Sequence, residues 1–180
     1  MKKILIIFIS LICVVGCSCS TDKASDAVEK YLNSYQSLDE GVLKNIDDLI
    51  ANENLNDNSG DLYKETLKRQ YRDLIYTIEN ESYDGDTAEV TVKITVYDYY
   101  AAEKEAQDYL NNNPNEFITD GIYDTTKFLE YKLEQMKNTN EMVSYNIVIK
   151  TNDVNGKWEV EQPDEETLEK IHGIYNYDLE

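Results

Sequence analysis

From Ala24 to Leu38 the apolar residues Val28, Tyr31, Leu32, Tyr35 and Leu38 recur at three- and four-residue spacing, which places them on one face of a helix. Gly41 reads as an interruption. A short helix follows through Val42, Leu43, Ile46, Leu49 and Ile50, and a third opens near Asp61, whose side chain can cap it, carrying Leu62, Leu67 and Tyr71. The pattern then switches from helical to alternating. Tyr76 and Ile78 lead to a turn at Asp84 and Gly85, after which Ala88, Val90, Val92, Ile94 and Val96 alternate with Glu89, Thr91, Lys93 and Thr95. That strand buries one face and leaves the other at least partly wet. A second hairpin is expected where Val143, Tyr145, Ile147 and Ile149 alternate ahead of Asn155 and Gly156, with Trp158 and Val160 returning.

Two helical stretches lie between the hairpins, one with Tyr99, Ala102, Ala106, Tyr109 and Leu110, the other with Phe128, Leu129, Leu133 and Met136. A last helix starts after Pro163 with Asp164 as cap and Leu168, Ile171 and Tyr175 on one side. The Asn-rich stretches Asn52 to Gly60 and Asn111 to Asn115 read as loops. Helices first, then hairpins of one antiparallel sheet with a helical insertion between them and a helix appended, make an α+β domain rather than a parallel one. The sheet should have at least four strands.

Ahead of this domain stand Lys2 and Lys3, an almost unbroken apolar run from Ile4 to Val15, and then Gly16, Cys17, Ser18, Cys19 and Ser20. Charged, apolar and small-residue regions in that order are the layout of an export signal. About a dozen helical residues reach roughly 18 Å, short of the ~30 Å hydrocarbon core, so the run is a poor permanent span. The quartet Val14, Val15, Gly16, Cys17 resembles the lipobox of bacterial lipoproteins. The resemblance implies cleavage before Cys17, a diacylglyceryl group on its thiol, and durable anchoring by more than one acyl chain such as palmitate. Residues 1–16 are then the signal peptide, 17–22 a lipidated tether and 23–180 a single domain. The competing readings are an ordinary secretory peptide and an uncleaved N-terminal helix. Under the lipoprotein reading Cys13 leaves with the leader and Cys17 is consumed, so Cys19 is the remaining thiol and no intrachain disulfide can form.

Charge narrows the partners. The chain has 17 basic and 36 acidic residues, a net charge of −19, and loss of Lys2 and Lys3 with the leader makes the mature body more acidic still. Such a surface repels nucleic acid and anionic lipid and keeps the domain soluble at a crowded envelope.

The domain itself resembles the small cone-shaped lipoprotein domains related to nuclear transport factor 2. The likeness is carried by opening helices over Ala27 to Ile50, by the run Tyr83, Asp84, Gly85, Asp86, Thr87, Ala88, Glu89, Val90 at the first turn, and by Asn155, Gly156, Lys157, Trp158, Glu159, Val160 at the closing turn. It implies N-terminal helices on a curved antiparallel sheet, in a fold that often encloses a cavity. The insertion from Tyr99 to Glu141 is longer than that pattern.

Candidate chemistry is sparse. The single histidine, His172, lies late in the last helix, where a cation is favoured by the dipole. No Cys/His set suits zinc, and calcium-loop registers fail at both ends when aligned on Gly85 or Gly156. No phosphate-binding glycine pattern is present, and no cofactor is called for. The cluster Tyr97, Asp98, Tyr99 and Tyr100 closes the long alternating strand. Asp98 there reads as the cap of the next helix, with the tyrosines wedging that helix against the sheet; the resemblance to cone-shaped folds implies, as the alternative, a base inside a cavity beside a tyrosine donor.

Tyrosine outnumbers phenylalanine fifteen to three. A core whose aromatics reach the rim explains this, whereas a binding reading has Tyr97, Asp98, Tyr100, Tyr145 and Trp158 lining a pocket. The sequence therefore favours a lipid-anchored extracytoplasmic binding or interaction domain, not an enzyme, whose partner is an envelope protein, peptide or glycan and not nucleic acid. A cavity-based isomerase or hydrolase using Asp98, and a structural or regulatory cover for a neighbouring membrane protein, are the alternatives. Oligomeric state is left open.

Overall fold

The computed structural model describes residues 23–52 and 55–179; the leader, the lipidation cysteine Cys17 and the tether lie outside the described residues. Three helices open the domain: α1 (Ala24–Ser37), α2 (Glu40–Asn52) and α3 (Asp57–Arg72). A hairpin of β1 (Ile75–Asp84) and β2 (Thr87–Tyr97) follows, then α4 (Tyr99–Asn112), a ribbon of β3 (Ile118–Thr119) and β4 (Ile122–Tyr123), α5 (Thr125–Asn138), β5 (Met142–Asp153), β6 (Trp158–Val160) and α6 (Glu165–His172). The main sheet has the order β1-β2-β5-β6 with every pairing antiparallel, and helices cover one of its faces, which is the expected α+β class. Among the described residues no helix is long and apolar enough to cross a membrane.

The first two helix boundaries differ from the sequence expectation. The break after α1 is made by Leu38, in the left-handed conformation at φ 51°, and by Asp39, whose Oδ1 accepts from Val42 N at 2.8 Å. Gly41 lies inside the first turn of α2. Helix α3 starts a turn earlier than Asp61, because Asn56 caps it by accepting from Ser59 N at 2.8 Å. Tyr175 falls outside α6, which ends at Gly173 in the left-handed region.

The alternating residues of β2 behave as their pattern requires. Val90, Val92 and Ile94 are fully buried and face Val28, Leu32, Tyr71 and Ile171 from the helices, while Thr87, Glu89 and Lys93 stay exposed. Both hairpin turns follow their sequences. Gly85 takes the first central position of the β1–β2 turn at φ 60°, and Asn155 and Gly156 sit at φ 59° and 82°, the pair of positive values that a type I′ turn needs.

A bulge decides what the far half of β1 does. The register runs Ile78↔Val92 and then Asn80↔Thr91, leaving Glu79 as an extra residue. Glu81 and Tyr83 thereby pair with Val90 and Ala88 on the helix-facing side. Glu81 Oε2 accepts from Ser25 N at 3.2 Å and Tyr83 Oη accepts from Ala24 N at 3.2 Å, so two otherwise orphaned amides of α1 are satisfied by the sheet. The helix dipole favours a carboxylate there. Trp158 closes this end, its ring 5.3 Å from that of Tyr83.

At the opposite end of α1, Tyr35 packs edge-on against Tyr71 with ring centroids 4.9 Å apart, and the Tyr71 hydroxyl is hydrogen-bonded to His172 Nδ1 at 2.8 Å. His172 is buried, and burial pushes it down to about 4, so the imidazole is a neutral core group and not the cation that a place near a helix end favours.

Two predictions follow from this core. Gly173 sits at φ 73°, and a Cβ there would lie 2.2 Å from Gln70 Nε2 and 2.2 Å from Tyr97 O. Gly173→Ala should therefore lose about 3 kcal/mol in urea unfolding, from left-handed strain together with overpacking; a loss within error of zero would contradict the close approach. The unfolded imidazole takes up a proton near its ordinary pKa of about 6.5 while the folded one resists to about 4, so stability falls as pH drops through that window. Between pH 7 and pH 5 the contribution should be about 2 kcal/mol. His172→Gln should flatten that part of the profile, and an unchanged slope would assign it elsewhere.

Candidate functional site

Strand β2 ends at Tyr97, and the chain turns directly into α4 through Asp98, whose amide donates to Glu141 O at 2.9 Å. Asp98 Oδ1 accepts from Ala101 N at 2.9 Å and caps α4. Its other oxygen, Oδ2, accepts from the Tyr177 hydroxyl at 3.0 Å. Both carboxylate oxygens thus have structural partners, which is the capping role read from the sequence, now with a phenol added.

The phenol belongs to a segment that leaves α6 at Gly173. Tyr100 N donates to Gly173 O at 2.8 Å and fixes where this segment starts. Beyond that, the Tyr175 ring lies 5.7 Å from Tyr145, with Lys170 Nζ 4.4 Å above Tyr175. The Tyr177 ring meets Tyr100 edge-on at 4.9 Å. Asp178 Oδ2 accepts from Tyr100 Oη at 3.0 Å and from Lys104 Nζ at 2.7 Å. Burial first, and the bond to Asp98 second, push the Tyr177 phenol up to about 12, while Lys104 and then Tyr100 hold the Asp178 carboxyl below its ordinary value.

Three of the five residues proposed from the sequence to line a pocket, Asp98, Tyr100 and Tyr145, are therefore touched by one strip of chain, residues 175–178. Tyr97 lies elsewhere. Its hydroxyl donates to Asp73 Oδ2 at 2.9 Å, its ring carries Arg69 Cζ at 3.6 Å, and it stacks on Tyr99 at 6.2 Å. Trp158 pairs with Asp153 beside the hairpin turns. The eleven residues of β2 that separate that end from Asp98 span about 33 Å, so Trp158 cannot share a pocket with Asp98.

Lys104, Tyr175, Tyr177 and Asp178 join this cluster although no pattern in the sequence groups them. Gly173 was the available signal: a glycine at the first position past a helix ends it, so Tyr175 could not continue the face of Leu168 and Ile171. Nothing local could announce that the next residues fold back onto α4.

A shallow concavity of about 350 Å3 lies between α5 and the turn that precedes β3, lined by Glu116, Phe117, Lys127, Glu130, Tyr131 and Glu134. Two of its carboxylates are already engaged, Glu116 by Tyr109 Oη and Glu130 by Asn58 Nδ2. No group of acidic, histidine or cysteine side chains among the described residues is arranged to hold a metal ion.

The cap role of Asp98 is testable through stability. Asp98→Ala should lose about 1–2 kcal/mol in urea unfolding, the ordinary worth of an N-cap, whereas Asp98→Asn keeps an acceptor and should lose less; equal losses would mean that the oxygen at the cap is not what matters. Comparison of the chain with family models, with curated proteins and with solved structures gives no match.

Proposed function

We propose that the chain is a membrane-anchored extracytoplasmic lipoprotein and that its domain is a non-enzymatic binding or interaction module. The anchor part rests on the run of Lys2, Lys3, the apolar stretch and Val14–Val15–Gly16–Cys17. The observation that carries the interaction part is the separation of two ends. The chain enters the described domain at Lys23, where α1 is bound by Glu81 and Tyr83 beside both hairpin turns, while the strip around Asp98 and Tyr100 lies at the other end of β2. A lipid on Cys17, six positions before Lys23, would hold the first end near the membrane and present the second to the surroundings.

The relation to cone-shaped nuclear transport factor 2-like lipoproteins belongs to this proposal, supported by opening helices and two hairpins in the expected order. Asp98 Oδ1 accepts from the Ala101 amide and Oδ2 from the Tyr177 hydroxyl, contacts that support a capping role at that residue over a base role. An envelope protein, peptide or glycan suits the acidic surface better than any polyanion.

Mass spectrometry of the protein from its own membranes should find residues 1–16 absent and a diacylglyceryl group on Cys17, and Cys17→Ala should shift the protein out of the membrane fraction. A bare Cys17, or a leader still in place, would overturn the anchor.

A further inference from the structure

We propose that the outer edge of β5, from Met142 to Val148, docks an extended strand of a partner protein whose pairing segment is uncharged and whose surface is basic. This deepens the interaction reading and rests on it for the partner's existence, while the edge itself is defined by backbone pairing alone.

The pairings of β5 fix which of its backbone groups look outward. Glu161 N donates to Lys150 O and Asp153 N donates to Asp86 O, so even-numbered residues of β5 turn their amides and carbonyls to the β6 side and odd-numbered ones to β2. The chain after β6 covers that side only as far as Glu161. In the same register the next outward residue, Val148, would face Pro163, which has no N–H to give to the Val148 carbonyl. The chain leaves the sheet there and goes on to α6. Among the described residues, no hydrogen bond reaches the outward amides and carbonyls of Met142, Ser144, Asn146 and Val148. The side chains of these residues are exposed.

What fits such a row is another strand. Donors and acceptors recur about every 6.8 Å along the edge, the repeat of an extended backbone, and an added main chain pairs with them in the manner that β6 begins. The two edges of the sheet are built differently. Strand β1 carries Glu79, Glu81 and Asp84 and is bulged at Glu79, and both charge and bulge keep a free edge from pairing. Residues 142–149 of β5 have no charged side chain, no proline and an unbroken register with β2. The unguarded edge starts opposite Tyr97, at the end of the sheet away from Lys23.

Charge and symmetry select the occupant. A second copy would bring together two bodies of net charge −19, which repel. Antiparallel self-pairing about a two-fold axis would also turn that copy end for end and set the two Lys23 ends at opposite extremes of the joined sheet. A basic partner is instead drawn in by the acidic body. Its pairing segment is uncharged because its side chains fall in turn beside Ser144, Asn146 and Val148 on one face and beside the half-buried Val143 and Tyr145 on the other, where an unpaired charge would lose its water.

The probe is a fluorescent peptide of alternating threonine and valine between terminal lysines, titrated by anisotropy against the full chain in detergent. It should bind, and at saturation the amides of Ser144, Asn146 and Val148 should exchange at least about tenfold more slowly while those of β1 are unchanged. The same peptide with its alternate amides N-methylated should not bind. Asn146→Pro deletes one outward donor and no bond to β2, and should weaken binding at least about tenfold. Should that variant not fold, as judged by circular dichroism, the N-methylated peptide on the native chain carries the same comparison. No binding, protection confined to β1, or equal binding of the N-methylated peptide would overturn the edge. Sedimentation should find the chain without peptide monomeric; self-association that Asn146→Pro abolishes would give the edge to a second copy and overturn the partner. The mass of the same sample reports Cys17 separately, so a lipidated chain without peptide binding refutes the edge, and peptide binding with a bare Cys17 refutes only the anchor.

Discussion

The side-chain amide of Gln70 carries the joint on which the rest of this molecule depends. Gln70 is fully buried, donates from Nε2 to Tyr97 O at 3.2 Å and accepts at Oε1 from Tyr97 N at 3.0 Å. A buried amide without those partners would be strongly unfavourable, so α3 and the end of β2 are held in one relative position. Gly173 presses its backbone against the same two groups, and its carbonyl takes the Tyr100 amide. Three segments distant in sequence therefore meet without room for a methyl group. The directions in which α4 begins and the chain after α6 leaves are both set there, and the Asp98 strip is the consequence.

A second constraint is the shortage of cations. With 36 carboxylates against 17 basic residues, most acids cannot have an ion-pair partner. Tyrosine supplies a neutral one. Among the described residues, Tyr83 donates to Glu81, Tyr97 to Asp73, Tyr100 to Asp178, Tyr109 to Glu116 and Tyr177 to Asp98. A phenol buries its ring and keeps a strong donor at the rim, which phenylalanine cannot do, and this gives the fifteen-to-three ratio a physical cause. The ion pairs that do form, such as Lys44 with Asp48 and Lys104 with Asp178, are mostly at the surface, where such pairs add little stability.

The sequence was most legible where local rules suffice. Alternation in β2, the Asn155–Gly156 turn, the Asp98 and Asp164 caps and the amphipathic faces of α1 and α6 are all decided by neighbours within a few residues, and the structure has them. The start of α3 is not legible locally because Asp57, Asn58, Ser59 and Gly60 are poor helix formers; a Cβ at Gly60 would lie 3.2 Å from Ile50 Cγ2, so the reason for glycine there is tertiary. The β3–β4 ribbon was missed although Asp120–Gly121 is a strong hairpin dipeptide, since two-residue strands leave no alternation to read. The distance between Trp158 and Asp98 is not legible without register: only the pairing of β2 with β5, set by contacts more than forty residues apart, puts them at opposite ends. The bulge at Glu79 and the strip on α4 likewise depend on partners that no short window contains.

These features describe a domain with one end held by a helix terminus and the other built around a crowded joint, with a polar strip laid over it. Native-state hydrogen exchange on the full chain tests that arrangement most directly. The amides of Tyr97 and Tyr100, bonded to Gln70 Oε1 and Gly173 O, should exchange only with global unfolding, while that of Asp178 should exchange through a local opening well below it. Exchange of Tyr97 and Tyr100 at the rate of Asp178 would show that the joint opens with the strip, and would contradict the claim that it organises the fold.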